Sequence, residues 1–294
     1  MRTYSEGKIA VRQHNKWGYV NIKNEVVVPC KYQAAQDFSE GLAAVKTKNK
    51  WGFIDATGKY VIPPQFIRVG HFKGGLAWAY TADGTGYIDR TGQFRISPHF
   101  DKATHFTRGV ARVCVSGRYG LIDTSGQYLV RPRFTHVAPF DTLGLAVVRY
   151  GSEKVRYGVI DLSGNLITEQ AYRAIYPFSE GLAVVKTKGG LGYINTKGKL
   201  VIAPEYSKAS NFSDGRAAVQ QNGRCGYIDR MGNAVVALDF SKCLDFENER
   251  AVVYKGNRKA GIVNTTGDFV IPPSLNRLLG FHEGRGLMRD HQYR

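Results

Sequence analysis

Eight cations stand out as groups that could bind something: Lys46, Lys48, Lys50, Arg156, Lys186, Lys188, Arg258 and Lys259. They sit in short segments rich in Asn, Gly and Thr. Clustered cations attract anions, whether an acidic protein face, nucleic acid or another polyanion. A second candidate is a column of acids, Asp55, Asp89, Asp123, Asp161 and Asp229. A calcium loop needs oxygen ligands at several close, alternating positions. The next residues here, such as Ala56-Thr57 and Leu162-Ser163, do not supply them. Each acid instead opens an Asp-x-x-Gly sequence. Its carboxylate is expected to cap a turn by accepting the backbone N–H two residues on.

Other chemistry finds little support. The seven histidines (His14, His71, His99, His105, His136, His282 and His291) include no HxxxH pair, which argues against a metal site. Cys30, Cys114, Cys225 and Cys243 are far apart, with no CxxC spacing. That speaks against both a zinc site and a disulfide framework, and predicts free thiols in a reducing compartment. No GxSxG or phosphate loop is present, and Lys73-Gly74-Gly75 lacks the spacing of one. The expectation is therefore no enzyme, with no catalytic residue, cofactor or metal.

The elements that position these residues repeat. An aromatic-Gly-aromatic-Ile/Val-Asp/Asn pattern begins as Trp17-Gly18-Tyr19-Val20-Asn21 and Trp51-Gly52-Phe53-Ile54-Asp55. It recurs around Gly86, Gly120, Gly158, Gly192, Gly226 and Gly261, at spacings of 34, 34, 34, 38, 34, 34 and 35 residues. A turn glycine follows six residues later in all but the first copy, which has Asn24. A Phe-Ser-Glu-Gly corner precedes the next apolar run, as in Phe38-Ser39-Glu40-Gly41 and Phe178-Ser179-Glu180-Gly181. A fixed period of this length is the signature of a repeat architecture.

These motifs resemble the bacterial WG, or KWG, repeat family, whose namesake sequence is matched by Lys16-Trp17-Gly18 and Lys50-Trp51-Gly52. The resemblance covers essentially the whole chain. It implies a β-rich repeat protein, usually without a defined molecular function, and carries over no catalytic residue. Because six units keep Gly but replace Trp, the Trp reads as a packing choice.

Each unit reads as three short strands: Leu42–Lys46 (A), Trp51–Asp55 (B) and Lys59–Ile62 (C) in the copy around Trp51. Gly58 should supply a positive φ at the B–C turn, giving a type I turn with a bulge. Pro29, Pro63, Pro98, Pro132, Pro204 and Pro272 are expected to end strand C, since proline cannot donate to a ladder. The fold class is all-β, a tandem array of about eight three-stranded antiparallel units over 1–294. Units begin near 16, 50, 84, 118, 156, 190, 224 and 259, after an extra N-terminal strand within 1–15. A propeller blade commonly has four strands in about 40–45 residues. The first strand also has no gap to fill, because the last unit carries its own at Arg285-Gly286-Leu287-Met288. An open solenoid or superhelix is favoured, with a β-propeller as the alternative. The extra residues around 149–155 read as a loop insertion.

Composition agrees. The chain is 43% hydrophobic and 12% aromatic, enough for a core, and Gly is abundant at 34 residues. No apolar run is long enough for a membrane span. The first residues contain no signal-like apolar stretch, so the expectation is a cytoplasmic protein. Net charge is +17. Antiparallel alternation puts all A–B turns on one edge, and those turns carry most of the positive charge against only Asp83 and Glu153. The Phe-Ser-Glu-Gly corners make the opposite edge more acidic. Repeat arrays build extended binding surfaces. The expected function is a non-enzymatic scaffold binding a macromolecular partner, first a protein, acidic ones included. Nucleic acid or another polyanion is the alternative, and a structural or surface-associated role the second alternative.

Overall fold

The computed structural model describes residues 3–151, 154–168, 172–256 and 259–275, and the backbone of 281–282 and 285–286. Its described secondary structure is entirely strand, arranged as small antiparallel sheets in chain order. Backbone contacts group the chain into two compact units. One comprises Met1–Val137 with Leu162–Gly164, the other Ala138–Asp161 with Asn165–Arg294.

In the first unit, β1 (Lys8–Gln13), β2 (Lys16–Asn21) and β3 (Val26–Tyr32) form a three-stranded sheet. The next sheet is β4 (Ala34–Ala35), β5 (Ala43–Thr47), β6 (Lys50–Ile54) and β7 (Tyr60–Phe66). The third is β8 (Arg68–Val69), β9 (Ala77–Thr81), β10 (Gly84–Ile88) and β11 (Phe94–Phe100). The fourth is β12 (Lys102–Ala103), β13 (Val110–Val115), β14 (Arg118–Asp123) and β15 (Tyr128–Phe134). The second unit repeats this order in sheets spanning 174–206, 208–240 and 242–275.

Strands A, B and C are present as expected except around Gly158, where the described residues of strand C make only isolated bridges, and a fourth element is added. A two-residue strand at the edge of most sheets pairs with strand A, as Ala34 does with Lys46 and Ala35 with Val45. The first strand of the chain is strand A of the first sheet, pairing with β2 throughout. Of the expected last strand, Arg285–Gly286 pairs with Phe281–His282, while Leu287 and Met288 lie outside the described residues.

Proline does not end strand C, which corrects that expectation. β7 runs through Pro63 and Pro64 to Phe66. The register jumps from Phe53↔Ile62 to Trp51↔Phe66, so the prolines sit in a bulge on an edge strand, where a missing donor costs nothing. This bulge explains the motif glycine. A Cβ on Gly52 would lie 2.5 Å from the Ile62 carbonyl oxygen and 2.7 Å from the Pro63 carbonyl carbon. Only glycine lets the two backbones come that close. In the unit around Gly158, one of two without this Pro, the backbone N–H of Val159 donates to the Oγ1 of buried Thr168 at 2.9 Å.

The Asp-x-x-Gly turns form as read. The Asp123 carboxylate accepts from Ser125 N at 2.9 Å, Ser125 Oγ at 2.6 Å and Gln127 N at 3.0 Å. Gly126 has φ +91°. Hydrogen bonds from Thr57, Thr91 and Ser125 hold Asp55, Asp89 and Asp123 below the usual carboxylate range.

Hydrophobic clusters lie between successive sheets. Tyr19, Val28 and Tyr32 of the first sheet pack with Phe38, Val45 and Ile54 of the second. Each sheet thus buries its apolar face only on a neighbour. The strand B tyrosines also donate across this seam: Tyr19 to Gln36 O (2.7 Å), Tyr87 to Thr104 O (2.7 Å) and Tyr193 to Ser210 O (2.7 Å). Edge-on aromatic contacts accompany them, with Tyr19–Phe38 and Phe53–Phe72 centroids each 4.8 Å apart.

The expectation of four free thiols is corrected for one pair. Cys225 and Cys243 form a disulfide, while Cys30 and Cys114 are free. Cys225 occupies the motif Trp position of one sheet and Cys243 the two-residue edge strand of the next. Stacking of successive repeats brings together positions 18 residues apart that carry no recognisable spacing. With the bond goes the thiol argument for a reducing compartment.

Candidate binding surfaces

The A–B turn of the second sheet is a tight hairpin. Lys48 and Asn49 have φ of 47° and 62°, the left-handed pair required by a two-residue type I′ turn. This hairpin gathers Lys46, at the end of β5, with Lys48 in the turn and Lys50 at the start of β6. Lys46 is half-buried along its stem, and Lys48 and Lys50 are exposed. Lys186 and Lys188 share the corresponding hairpin of the second unit, both exposed. Arg156 and Lys259 are exposed at the starts of their strands. Arg258 lies outside the described residues. Lys46, Lys48 and Lys50 therefore belong to one compact unit, and Arg156, Lys186, Lys188 and Lys259 to the other. Among the described residues, the five lysines of the two hairpins make no ion pair, whereas Lys255 is paired with Asp239 at 2.7 Å.

The opposite corners use their acids internally. Glu40 accepts from Gly74 N at 2.6 Å and from Gly75 N at 3.0 Å, one repeat ahead. Glu6 holds Gly41 N at 3.0 Å, Glu180 holds Gly215 N at 3.1 Å, and Asp214 holds Glu249 N at 2.8 Å. The preceding serines do the same for carbonyls: Ser39 Oγ donates to Phe72 O at 2.7 Å and Ser179 Oγ to Phe212 O at 2.7 Å. These carboxylates fasten neighbours together, so their charge is partly spent inside the fold.

A further basic column was missed in the sequence. Five of the two-residue edge strands begin with Arg68, Lys102, His136, Lys208 and Lys242, all exposed, while two others begin with Ala34 and Ala174. Those of Arg68, Lys102, Lys208 and Lys242 pair with the end of strand A beside the A–B turn, as in Arg68↔Tyr80 and Lys208↔Gln220. The signal was present as a 34-residue period, but the strand that carries it is too short to read from hydrophobic alternation.

Small cavities open beside these edge strands. One of about 540 Å³ is bordered by Arg68, Trp78, Tyr80, Thr85 and Lys102. The same junction in the second unit holds a cavity of about 220 Å³ beside Lys208, Lys242 and the Cys225–Cys243 disulfide. A third, of about 530 Å³, is lined by Asp37, His71, Trp78 and His105. Burial holds His71 below the usual histidine range and, with neighbouring His71, pushes His105 down to about 4. Both imidazoles are neutral near pH 7. Among the described residues no group of three His, Cys, Asp or Glu side chains is placed to hold a metal ion. No helix among them is long and apolar enough to cross a membrane.

Fastened sheets, internally satisfied corners and open turns define a tandem β-repeat scaffold protein. More particularly, the chain belongs to the WG containing repeat family. Eight matches cover residues 17–51, 51–81, 86–119, 119–152, 157–191, 192–225, 226–258 and 261–289. No curated protein matches the sequence. Solved structures resemble it at low identity. A eukaryotic initiation factor is 13% identical over 90% of this chain and 84% of its own, with a TM-score of 0.45. BamB from Moraxella catarrhalis is 11% identical over 84% of this chain and 93% of its own, with a TM-score of 0.38. Hsv2p of Kluyveromyces lactis is 12% identical over 79% and 92%, with a TM-score of 0.34.

Proposed function

We propose that this chain is a non-catalytic scaffold that binds a macromolecular partner, a protein with an acidic surface, through its A–B turn edge. One contrast carries the reading. Corner carboxylates such as Glu40 and Glu180 are engaged by neighbouring backbone N–H groups, whereas the lysines of the 46–50 and 186–190 hairpins have no ion-pair partner among the described residues. Unpaired exposed cations steer an oppositely charged partner and set its register. Within each unit the edge-strand cations, Arg68 and Lys102 in the first and Lys208 and Lys242 in the second, add positive charge, and favour a polyanion as the second reading.

The test is capture of partners from native lysate by the tagged chain, with and without nuclease. A parallel variant carries Lys46, Lys48, Lys50, Lys186 and Lys188 changed to Gln. A stoichiometric protein retained after nuclease and lost from the variant supports the first reading. Nucleic acid recovered only without nuclease, with affinity falling steeply in salt, replaces it with the second. Capture unchanged by the five substitutions overturns both.

A further inference from the structure

We infer that Trp78 is the platform of a saccharide-binding cleft in the first unit. This site goes beyond the proposed protein-binding edge and does not depend on it.

The repeat does not need a tryptophan at this position. Trp17 and Trp51 belong to the namesake motif and pack against the cores between sheets. Trp78 also packs on a core between sheets, but from strand A, where the other copies carry Ala10, Ala44, Arg112, Val147, Val184, Ala218 and Val252. It is half-buried and borders two cavities, of about 530 and 540 Å³. Each falls within the roughly 300–1,000 Å³ of ordinary small-molecule sites. One cavity lies beside Thr85, which stands where Trp17 and Trp51 stand in the first two repeats. The larger motif side chain is missing at this junction, while an indole has been added beside it.

Gly70 makes the other side possible. A Cβ there would collide with the Trp78 indole nitrogen and with the His105 ring. The His105 ring lies flat on His71, with centroids 3.7 Å apart and planes 16° apart, and Trp78 is tilted against it at 6.2 Å. His105 Nδ1 is buried and has no hydrogen-bond partner. A buried polar atom without a partner is costly, and rotation of the ring toward the cavity would let a ligand hydroxyl satisfy it.

The chemistry of the lining selects among ligands. Parallel stacked rings direct their nitrogen lone pairs alongside one another, and these do not converge on one metal ion. The carboxylates of Asp37 and Asp101 work against a polyphosphate. One cavity beside Trp78 offers two neutral imidazoles and Asp37, the other Arg68, Lys102 and Asp101, and each is a mixed set of donors and acceptors. A sugar hydroxyl is both donor and acceptor and suits all of them. The apolar C–H face of a sugar ring suits the indole.

The experiment uses the full chain and four named probes: cellotetraose, N,N′,N″,N‴-tetraacetylchitotetraose, trigalacturonic acid and hexathymidylate. Binding is read by saturation-transfer NMR and by tryptophan fluorescence. At least one saccharide is expected to bind, with Trp78→Ala weakening it about tenfold or more. Alanine already occupies this position in three other repeats, so that variant should fold. Thr85→Trp restores the motif residue and should block the cleft to a similar extent. No saccharide contact, binding indifferent to both variants, or binding of hexathymidylate alone overturns the inference.

Discussion

The Glu40 carboxylate and the backbone N–H of Gly74, 34 residues apart in sequence, meet at 2.6 Å. The same carboxylate takes Gly75 N–H at 3.0 Å, and Ser39 beside it donates to Phe72 O at 2.7 Å. One corner thus satisfies three backbone groups of its successor. This is what the periodic Ser-Glu pair is for, and it couples the stability of each repeat to the next. Ser39→Ala should cost about 1 kcal/mol and Glu40→Ala somewhat more, because charged acceptors hold their donors more strongly. Urea unfolding of both variants measures this. Effects that are nil in both would show the corner to be surface decoration.

Gly52→Ala tests why the motif glycine is glycine. The added methyl meets backbone rather than a movable side chain, so strand C must shift. A loss on the order of 2–3 kcal/mol is expected, read as a fall in Tm. An unchanged Tm would mean that the bulge over Gly52 yields freely.

The disulfide predicts thiol stoichiometry. In denaturant without reductant, the four cysteines should titrate as two thiols, those of Cys30 and Cys114. Replacing Cys225 and Cys243 together with Ser should lower stability by about 2–4 kcal/mol under oxidising conditions and remove its sensitivity to reductant. Four reactive thiols in the unreduced chain would show that the bond does not form.

Acid should weaken the first unit through its stacked histidines. Burial lowers the proton affinity of both rings; for His71, Lys73 adds to this while Asp37 and Glu40 oppose it. For His105, His71 and Lys73 reinforce the depression to about 4 from 6.5. Below pH 6.5 the unfolded chain takes up protons that the folded chain refuses. Stability therefore falls as pH drops from about 6.5 to 4. His105→Gln should flatten that part of a Tm–pH profile. A parallel profile for the variant would remove His105 from the account.

Much of the fold was legible because the period of 34 residues placed the same chemistry in every unit. The three strands, the Asp-x-x-Gly caps and the positive-φ glycines depend on neighbours within a few residues, and local spacing reveals such relations. The proline positions were visible, but their consequence was misread. Whether proline ends a strand or sits in its bulge depends on the partner strand, here the glycine opposite.

The candidate sites divide in the same way. The turn lysines could be read from the sequence, since alternating strands return every A–B turn to one end of its sheet. The edge strands beginning at Arg68, Lys102, Lys208 and Lys242 could not, because two residues carry no pattern and pair only when strand A lies beside them. The Cys225–Cys243 bond and the Trp78 cleft join side chains from successive sheets. Their residue types are in the sequence, but their proximity is set by how one sheet packs on the next. Only the tertiary structure decides that, because each repeat buries its apolar face on a neighbour rather than on itself.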